Sequence, residues 1–480
     1  MSPDPLLLSA EELVTHYRLR RLSPVEVTSA LLDRIAKLNP IYNAFCVVDA
    51  EAALQSARQS ELRWQRAEPL GPVDGVPATV KDLLLSKGWP TLRGSRTIDP
   101  DQVWDEDAPP VARLREQGAI LIGKTTTPEF GWKGVTDSPL TGVTRNPWDR
   151  RMTPGGSSGG AAVAAALGMG TLNVATDGGG SIRIPAGFCG LFGIKPTWGL
   201  VPVYPHSPAW TLWHQGPIAR TVADAALLLT LMARPDARDW AAGPALGIDY
   251  AEGLNKGIKG LRIGYSRTLG YATVDAEVAR LVDRAVVKLE ALGARVEELD
   301  LVLEDPIHIM QPLWAVALAL AVEPMSREQR TLCDPPMLEL AETGFALSAI
   351  RYRQLERARD ALGRRMSALH ATYDLLVTPQ LATTAFAAGH EVPPGSELKR
   401  WWQWSPFTYP FNLTQQPAAT VPCGIAANGL PVALQIVGAK YADALVLRAA
   451  RAYESAHPFP LPPVEARGGT VPSPIDIAHI

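Results

Sequence analysis

Cysteine is scarce in this sequence, and the four residues present are Cys46, Cys189, Cys333 and Cys423. No two of them have the short spacing of a zinc or redox motif, so we interpret them as reduced, mostly buried thiols and exclude a disulfide framework. The eight histidines form no HExxH or HxH cluster. The sequence therefore predicts no metal centre, and nothing in it points to a bound cofactor.

Neither charge nor hydrophobicity is concentrated along the chain. The net charge is −3 and the pI about 6.3, without an extended run of Lys and Arg, which argues against nucleic acid or an anionic membrane as partner. The Ala- and Gly-rich run 161–176 is shorter than the ~20 residues that a membrane-spanning helix needs. Residues 1–8 lack the basic region and the apolar segment of a signal peptide, and the expected location is the cytoplasm.

Segments typical of strands alternate with segments typical of helices over much of the chain. Between residues 70 and 235 they follow one another in the order 76–81, 109–117, 119–122, 159–167 and 172–176. A similar strand–helix–strand unit covers 261–299. This alternation predicts an α/β fold with a large mixed, mostly parallel central β-sheet covered by helices on both faces.

Two glycine-rich serine clusters and one lysine suggest the chemistry. The first cluster, 155–160, reads Gly-Gly-Ser-Ser-Gly-Gly, and the second, 178–183, reads Gly-Gly-Gly-Ser-Ile-Arg. Glycines let the bare backbone approach a ligand and offer its N–H groups. Upstream, Lys81 ends an apolar strand. A hydroxyl nucleophile, donors for an oxyanion and an amine that moves protons together suit attack on a carbonyl carbon.

Two serines are candidates for the nucleophile. Ser158 is the centre of a Gly-x-Ser-x-Gly elbow, but that motif needs a buried strand before it, and the prolines and charges of 146–154 do not form one. Ser181 follows the buried strand 172–176 and three glycines, whose N–H groups can hold an oxyanion. The glycines alone would favour a phosphate-binding or merely tight turn, but the second serine cluster and Lys81 reverse that preference, and we assign the attack to Ser181. The predicted oxyanion hole is Gly178, Gly179, Gly180 and Ser181.

Lys81 must be neutral in order to accept a proton. Burial lowers the pKa of a lysine because a charge is costly away from water. Strand alternation turns Asp82 to the opposite face, so we expect no carboxylate to pair with Lys81. A lysine that merely reaches solvent from the end of a strand is the alternative interpretation.

No long polar linker divides the chain, and we expect one domain over 1–480. Within it the pattern separates a helical N-terminal part, the catalytic core, an elaborated α/β and helical lid region, and a C-terminal return to the sheet. These parts cover 1–60, 70–235, 255–415 and 416–460, respectively.

The motifs resemble those of the amidase signature family, and the likeness runs from about residue 9 to 456. It covers Gly75 to Pro77, Lys81-Asp82, Lys124, Glu129, Arg145 to Trp148, Gly155 to Gly160, Thr176-Asp177, Gly179 to Arg183, Cys189 to Thr197, Gly216 to Val222, Asp374 to Pro379 and Phe411-Asn412. The resemblance implies the amidase signature fold and a serine hydrolase that cleaves the C–N bond of carboxylic amides through an acyl-enzyme. Esters and carbamates (urethanes) present a carbonyl to the same nucleophile.

The resemblance also implies a Ser-cisSer-Lys triad. Ser181 is then the nucleophile, Ser157, preceded by a cis peptide bond, the middle serine, and Lys81 the base.

Three further residues, Ser158, Asp177 and Arg183, would support this network, with contact to an acidic substrate as the alternative role of Arg183. The family often has Ile or Thr after the Asp177 position, so Gly178 would widen the pocket or loosen the oxyanion hole.

Aromatic residues in predicted loops indicate an apolar or aromatic substrate pocket. The candidates are Trp132, Trp210, Trp213, Trp404 and Phe407. Core or lid packing is the alternative for each of them.

A glutaminase (A) subunit of a tRNA-dependent amidotransferase is the main alternative function. That subunit typically has Ser-Leu-Asp-Gln before its Gly-Pro-x-Ala-Arg element, whereas this chain has Trp210 to Gln215 there, and Ile184 where the subunit usually has Gln. Partners for a polar glutamine side chain are therefore missing. We expect a free-standing amidase for aryl or alkyl amides. A catalytically inactive scaffold subunit is a third hypothesis, against which the complete triad argues. The expected partner is a small-molecule amide, ester or carbamate, with neither nucleic acid nor membrane, and a homodimer is the one assembly that we consider.

Overall fold

One large β-sheet organises the residues that the computed structural model describes, 4–301 and 303–463. Its strands and those of a small hairpin are β1 (Phe45–Val48), β2 (Pro77–Lys81), β3 (Ile120–Thr125), β4 (Asp137–Ser138), β5 (Gly142–Val143), β6 (Leu172–Asp177), β7 (Phe192–Lys195), β8 (His214–Ala219), β9 (Arg262–Tyr265), β10 (Arg295–Glu298), β11 (Leu375–Pro379), β12 (Ala418–Ile425) and β13 (Pro431–Gly438). Strands β4 and β5 form the hairpin. The 11-stranded sheet has the order β1-β3-β2-β6-β8-β7-β12-β13-β11-β9-β10.

Parallel pairings lie in two blocks of this sheet. Strands β3, β2 and β6 form one block, and β11, β9 and β10 form the other. Strand β1 pairs antiparallel with β3, and each pairing from β6 through β8, β7, β12 and β13 to β11 is antiparallel. The predicted large mixed sheet is confirmed, with its parallel pairings concentrated in the two blocks.

Helices cover both faces of the sheet. They are α1 (Ala10–Arg18), α2 (Pro24–Tyr42), α3 (Ala50–Arg66), α4 (Pro109–Glu116), α5 (Gly159–Ala166), α6 (Arg183–Cys189), α7 (Val222–Met232), α8 (Ala276–Ala291), α9 (Ile307–Val322), α10 (Arg327–Arg330), α11 (Pro335–Phe345), α12 (Ala349–Thr372), α13 (Pro410–Leu413) and α14 (Asp443–Ala456). Every residue of β2, β3, β6 and β8 is buried. Since successive strand residues point to opposite faces, both faces of these strands must be covered.

Local sequence patterns predicted several of these helices and strands, but not all of them. Helices α1 and α2 lie in the predicted helical N-terminal part and begin with the capping boxes Ser9/Glu12 and Ser23/Glu26. The predicted strands 76–81, 119–122 and 172–176 are β2, β3 and β6. Strands β1, β7 and β8 and helix α3 were not predicted. None of the helices in the described part of the chain combines the length and apolarity required to cross a membrane.

An apolar core separate from the one around the sheet packs against the glycine turn after β6. It gathers residues of α9, α11 and α12 with aromatic side chains of the segment 401–409. The indoles of Trp314 and Trp401 meet edge to face there, with ring centroids 6.3 Å apart. The elaborated region thus packs directly against the catalytic core.

Candidate active site

Lys81 ends β2, an interior strand of the sheet, and its side chain is completely buried. Its Nζ lies 2.7 Å from Ser157 Oγ, 2.8 Å from Ser158 Oγ and 2.9 Å from Thr176 Oγ1. All three partners are hydroxyl groups. Lys81 thus faces the first serine cluster rather than solvent. Thr176 was not predicted as a partner of Lys81. Its position near the end of β6, just before the second serine cluster, is the sequence feature that could have indicated this contact.

Asp82 turns away from Lys81. Its carboxylate lies 3.1 Å from Lys124 Nζ and accepts the Gly94 N–H at 3.4 Å, as strand alternation predicted. Among the described residues no carboxylate lies within ion-pair distance of Lys81. Burial therefore holds the pKa of Lys81 well below its usual value, and the more distant charge of Asp177 opposes this shift only in part.

Ser157 follows a cis peptide bond from Gly156. Its side chain is almost fully buried and borders Gly131, at which a Cβ would lie 3.2 Å from Ser157 Oγ. Gly131 also has a positive φ of 71°, so a side chain there would both strain the backbone and crowd the hydroxyl. The approach to Ser157 is therefore kept open by a glycine that sequence reasoning did not single out.

Ser158 joins the two serine clusters. Its N–H donates to the Ser181 carbonyl at 3.2 Å, and its hydroxyl donates to the Thr176 carbonyl at 3.1 Å. The residue stands before the first turn of α5, and no strand precedes it. The geometry of an α/β-hydrolase elbow is thus absent from this stretch.

Ser181 lies on the turn between β6 and α6 and is 7% exposed. The N–H of Gly180 in this turn donates to Asp177 Oδ1 at 2.7 Å, so it is not available to an oxyanion. The N–H groups of Gly178, Gly179 and Ser181 have no acceptor among the described residues. Three of the four predicted donors thus remain unpaired beside the hydroxyl.

A buried ion pair holds this turn in place. Arg183 and Asp177 are both fully buried, and the guanidinium contacts the carboxylate through Nε and Nη2 at 3.0 Å each. Burial opposes ionisation of Asp177, but the charge and hydrogen bonds of Arg183, aided by Asn412, hold its pKa well below the usual range. The carboxylate therefore stays charged and fixes the backbone on which Ser181 is carried.

Arg183 is wholly occupied by the protein. Its remaining N–H groups donate to the Thr408 carbonyl, Gln435 Oε1 and Asn412 Oδ1, at 2.8, 2.9 and 2.6 Å. All five donors of the guanidinium thus have acceptors. Contact with an acidic substrate, the alternative role for Arg183, would require one of these bonds to break.

A cavity of about 250 Å³ lies next to the site, bordering the turn at Gly178 and the glycine beside Ser157. Trp213 and Trp314 line it, and both indoles border Gly178, at which a Cβ would lie 2.8 Å from Trp314 and 3.8 Å from Trp213. Leu83 lines it as well and borders Gly131 next to Ser157. The indole of Trp314 thus fills the space that a side chain at 178 would take.

Of the five aromatic pocket candidates, Trp213 lines this cavity. Trp132, Trp404 and Phe407 are buried in packing contacts away from it, and Trp132 donates its indole N–H to Asp334 at 3.0 Å. Trp210 is 39% exposed and packs on the ring of His206. Trp314 was missed because it lies in α9, an apolar helix without a loop signal.

Comparison with known sequences identifies a protein family and similar proteins. The profile of the family described as Amidase matches residues 26–447. An acylamidase of Rhodococcus erythropolis is 36% identical over 94% of this chain and 96% of its own length. The glutamyl-tRNA(Gln) amidotransferase A subunit of Moorella thermoacetica is 35% identical over 93% of this chain and 96% of its own length.

Solved structures give the same picture. A bacterial aryl acylamidase of the amidase signature enzymes superimposes with a TM-score of 0.88 at 29% identity, covering 94% of this chain and 96% of that one. A 6-aminohexanoate cyclic dimer hydrolase in complex with substrate superimposes with a TM-score of 0.85 at 28% identity, covering 94% and 98%.

Proposed function

This chain belongs to the amidase signature family, and from that premise we propose that it hydrolyses aryl or alkyl amides through an acyl-enzyme on Ser181. The family match and the acylamidase relatives establish an amide-hydrolysing enzyme. The observation that carries the proposed mechanism is a buried lysine whose three polar contacts are all hydroxyls.

A neutral amine fits these three contacts. It has two N–H groups and one lone pair, so two hydroxyls accept from it and the third donates to it. Ser158 gives its own proton to the Thr176 carbonyl and must accept from Lys81. If Ser157 donates to the lone pair, its oxygen is free to accept the proton of Ser181. A relay from Ser181 through Ser157 to Lys81 follows.

The proposed reaction uses this relay in both directions. Ser181 Oγ bonds to the carbonyl carbon as its proton moves to Ser157, whose own proton moves to Lys81. The N–H groups of Gly178, Gly179 and Ser181 hold the oxyanion. The C–N bond then breaks as Ser157 gives one proton to the departing amine and recovers a proton from Lys81. A water molecule, deprotonated by the same relay, cleaves the acyl-enzyme and releases the carboxylic acid and Ser181.

The cavity supports a free-standing amidase rather than a glutaminase. Both kinds of relative are about equally similar to this chain, so identity does not separate them. Trp213 lies within the stretch where the glutaminase subunit is polar, and with Trp314 it gives the cavity an aromatic wall next to the nucleophile turn. Such a wall favours aryl or alkyl groups. Esters and carbamates of similar shape fit the same chemistry.

Two substrates distinguish the alternatives. We expect the purified protein to release 4-nitroaniline from 4-nitroacetanilide and little ammonia from L-glutamine. Ammonia from glutamine without anilide cleavage would favour the glutaminase subunit, and no turnover of either would favour the scaffold.

The cytoplasm is the proposed location. All four cysteines are free thiols, as expected in a reducing compartment. Fractionation of the source cells would test this assignment.

Activity is expected to fall at acid pH. Because burial lowers the pKa of Lys81 well below its usual value, its amine stays neutral to lower pH than an exposed lysine and becomes protonated as the pH falls through that pKa. The pKa of Asp177 is also lowered, so this carboxylate stays ionised over the same interval. A profile of kcat/KM from about pH 9 to about pH 5 should show one limb that declines towards acid.

Lys195 provides the control for this profile. It is the other fully buried lysine near Asp177, and burial lowers its pKa as well, but it donates to the backbone carbonyls of Pro196 and Gln416. The Lys195→Gln variant should keep the acid limb. A profile that stays flat to about pH 5 while circular dichroism shows a folded enzyme would contradict a lysine base.

The effects of substitutions at Gly178 and at Trp314 on activity are expected to be coupled. Gly178→Ala should lower kcat/KM about tenfold to a hundredfold, because its Cβ would lie 2.8 Å from the Trp314 indole and displace the ring or the turn. Adding Trp314→Leu should restore much of the activity and admit bulkier substrates. The measurement is kcat/KM on anilides of increasing acyl size.

Gly363→Ala in α12 is the matched control, since a Cβ there meets nothing within 4 Å. It should leave kcat/KM as it is. A fully active Gly178→Ala enzyme, or a double variant no better than the single one, would show that the two positions do not compete for space.

A further inference from the structure

Arg93 and Gln215 are two of the polar side chains that line the largely apolar cavity beside the proposed triad, and Tyr204, His206 and Ser207 line it as well. Gln215 is 1% exposed on β8, and its Oε1 is buried with no hydrogen-bond partner among the described residues. Buried polar atoms are nearly always paired, so an orphaned amide in a cavity wall indicates that the partner comes from a bound molecule. The cavity is thus equipped for a ligand with polar groups.

Arg93 likewise lacks a partner. The comparably buried Arg220 and Arg359 each donate several hydrogen bonds to protein oxygens. The guanidinium of Arg93 makes neither a hydrogen bond nor an ion pair with any residue of the described chain. An unpaired, partly buried guanidinium is costly, because its charge loses water without gaining an acceptor.

The surroundings of Arg93 leave a positive charge uncompensated. Its nearest opposite charge is Asp82, which already contacts Lys124 Nζ at 3.1 Å. Burial lowers the pKa of Arg93, and Asp82 offsets only part of that effect. Two cations thus share one carboxylate, and an arginine does not relieve the imbalance by losing its proton. One further negative charge would balance the group.

The backbone fixes Arg93 next to the triad. Arg93 and Phe130 both have positive φ, 55° and 49°, and the Phe130 N–H donates to the Arg93 carbonyl at 2.8 Å. Phe130 also lines the cavity and precedes Gly131, which borders Ser157 Oγ. Non-glycine residues in this conformation concentrate at ligand sites.

We propose that Arg93 binds the carboxylate of an anionic substrate, so that the enzyme prefers amides with a carboxylate elsewhere in the molecule. This inference rests on the proposed amidase function. A guanidinium matches a carboxylate through two parallel hydrogen bonds. One unbalanced positive charge suits a carboxylate better than a phosphate dianion. The aromatic wall carries the intervening chain, and Gln215 receives a polar group of that chain.

Matched substrate pairs test this preference. The carboxylate is placed on the acyl side in glutaryl and adipoyl 4-nitroanilides, with pentanoyl and hexanoyl 4-nitroanilides as neutral partners. It is placed on the leaving group in 4-acetamidobenzoate, with acetanilide as partner. In at least one series the carboxylate should raise kcat/KM, and Arg93→Gln should lower the ratio of charged to neutral substrate by about tenfold to a hundredfold. Arg93→Lys should retain part of the ratio.

Arg238→Gln controls for long-range electrostatics. Arg238 stacks on Tyr204 at the edge of the same cavity and pairs with Asp236 at 2.7 Å, so the variant removes the same charge nearby. It should keep the substrate ratio. The inference is wrong if Arg93→Gln and Arg238→Gln change the ratio of charged to neutral substrate equally in both series. It is also wrong if Arg93→Gln leaves that ratio unaltered in both series.

Calorimetric titration separates this inference from the proposed function. Adipate should bind the wild type more tightly than hexanamide, and Arg93→Gln should remove the difference even if no anilide is cleaved. Equal binding of adipate to the wild type and Arg93→Gln would refute the carboxylate site while leaving amide hydrolysis untouched.

Discussion

Replacing Ser181 by alanine should abolish amide turnover, with kcat reduced by roughly a millionfold. In the proposed mechanism Ser181 supplies the oxygen that becomes acylated, and no other hydroxyl lies on the turn whose N–H groups remain unpaired. The measurement is release of 4-nitroaniline at high enzyme concentration. A slow ester such as 4-nitrophenyl acetate should leave an acetyl group on the peptide that contains Ser181, and mass spectrometry would locate it.

Ser158→Ala is the informative control for this result. Ser158 is the serine of the elbow-like motif, but its hydroxyl is held between Lys81 and the Thr176 carbonyl. The variant should lose activity in part and still form the acetyl adduct on Ser181. An adduct on Ser158, or turnover by Ser181→Ala, would reverse the assignment of the nucleophile.

Lys81→Met should lower kcat by several powers of ten, about 10³-fold or more. The proposed relay ends on this amine, whose three polar contacts are to hydroxyls. Ser157→Ala should have a similar effect. The double variant should be little worse than the more damaged single one, since both changes break one relay. Near-wild-type activity in Lys81→Met would remove the proposed base.

Lys124→Met gives the matched contrast. Both lysines are buried, but Lys124 contacts Asp82, whose carboxylate would lose its ion-pair partner. Loss of one partner of a buried ion pair costs about 3–5 kcal/mol, so Lys124→Met should unfold more readily in urea. Lys81→Met should change stability far less while losing more activity. The two readouts therefore separate a structural lysine from a catalytic one.

Sequence patterns predicted the elements that carry the triad better than those that flank it. Strands β2 and β6 are completely buried, and their ends are marked by the motifs themselves. Strand β8 contains Gly216 and Pro217, residues that weaken a strand locally, and its pairing with β6 overrides this preference. Strand β7 has four residues, too few for a periodic signal.

The pocket was harder to predict than the catalytic residues. An aromatic residue in a loop can point into a cavity or into the core, and sequence does not encode the direction. Trp132 is buried in the core, where its indole N–H donates to Asp334, a residue distant in the sequence. Trp314 lies on the largely apolar α9, where periodicity does not reveal which face meets the site. Specificity therefore depends on long-range packing that local patterns do not carry.

The partners of Arg183 have a consequence for biosynthesis. Asn412 and Gln435, which hold the guanidinium, come from the last part of the chain to be synthesised. A ribosome that has translated the chain as far as β11 has already delivered both serine clusters and the lysine, yet the turn that carries Ser181 still lacks these anchors. The nascent polypeptide should remain inert towards amides until its C-terminal segment has emerged and docked, so that hydrolysis begins only with a finished molecule.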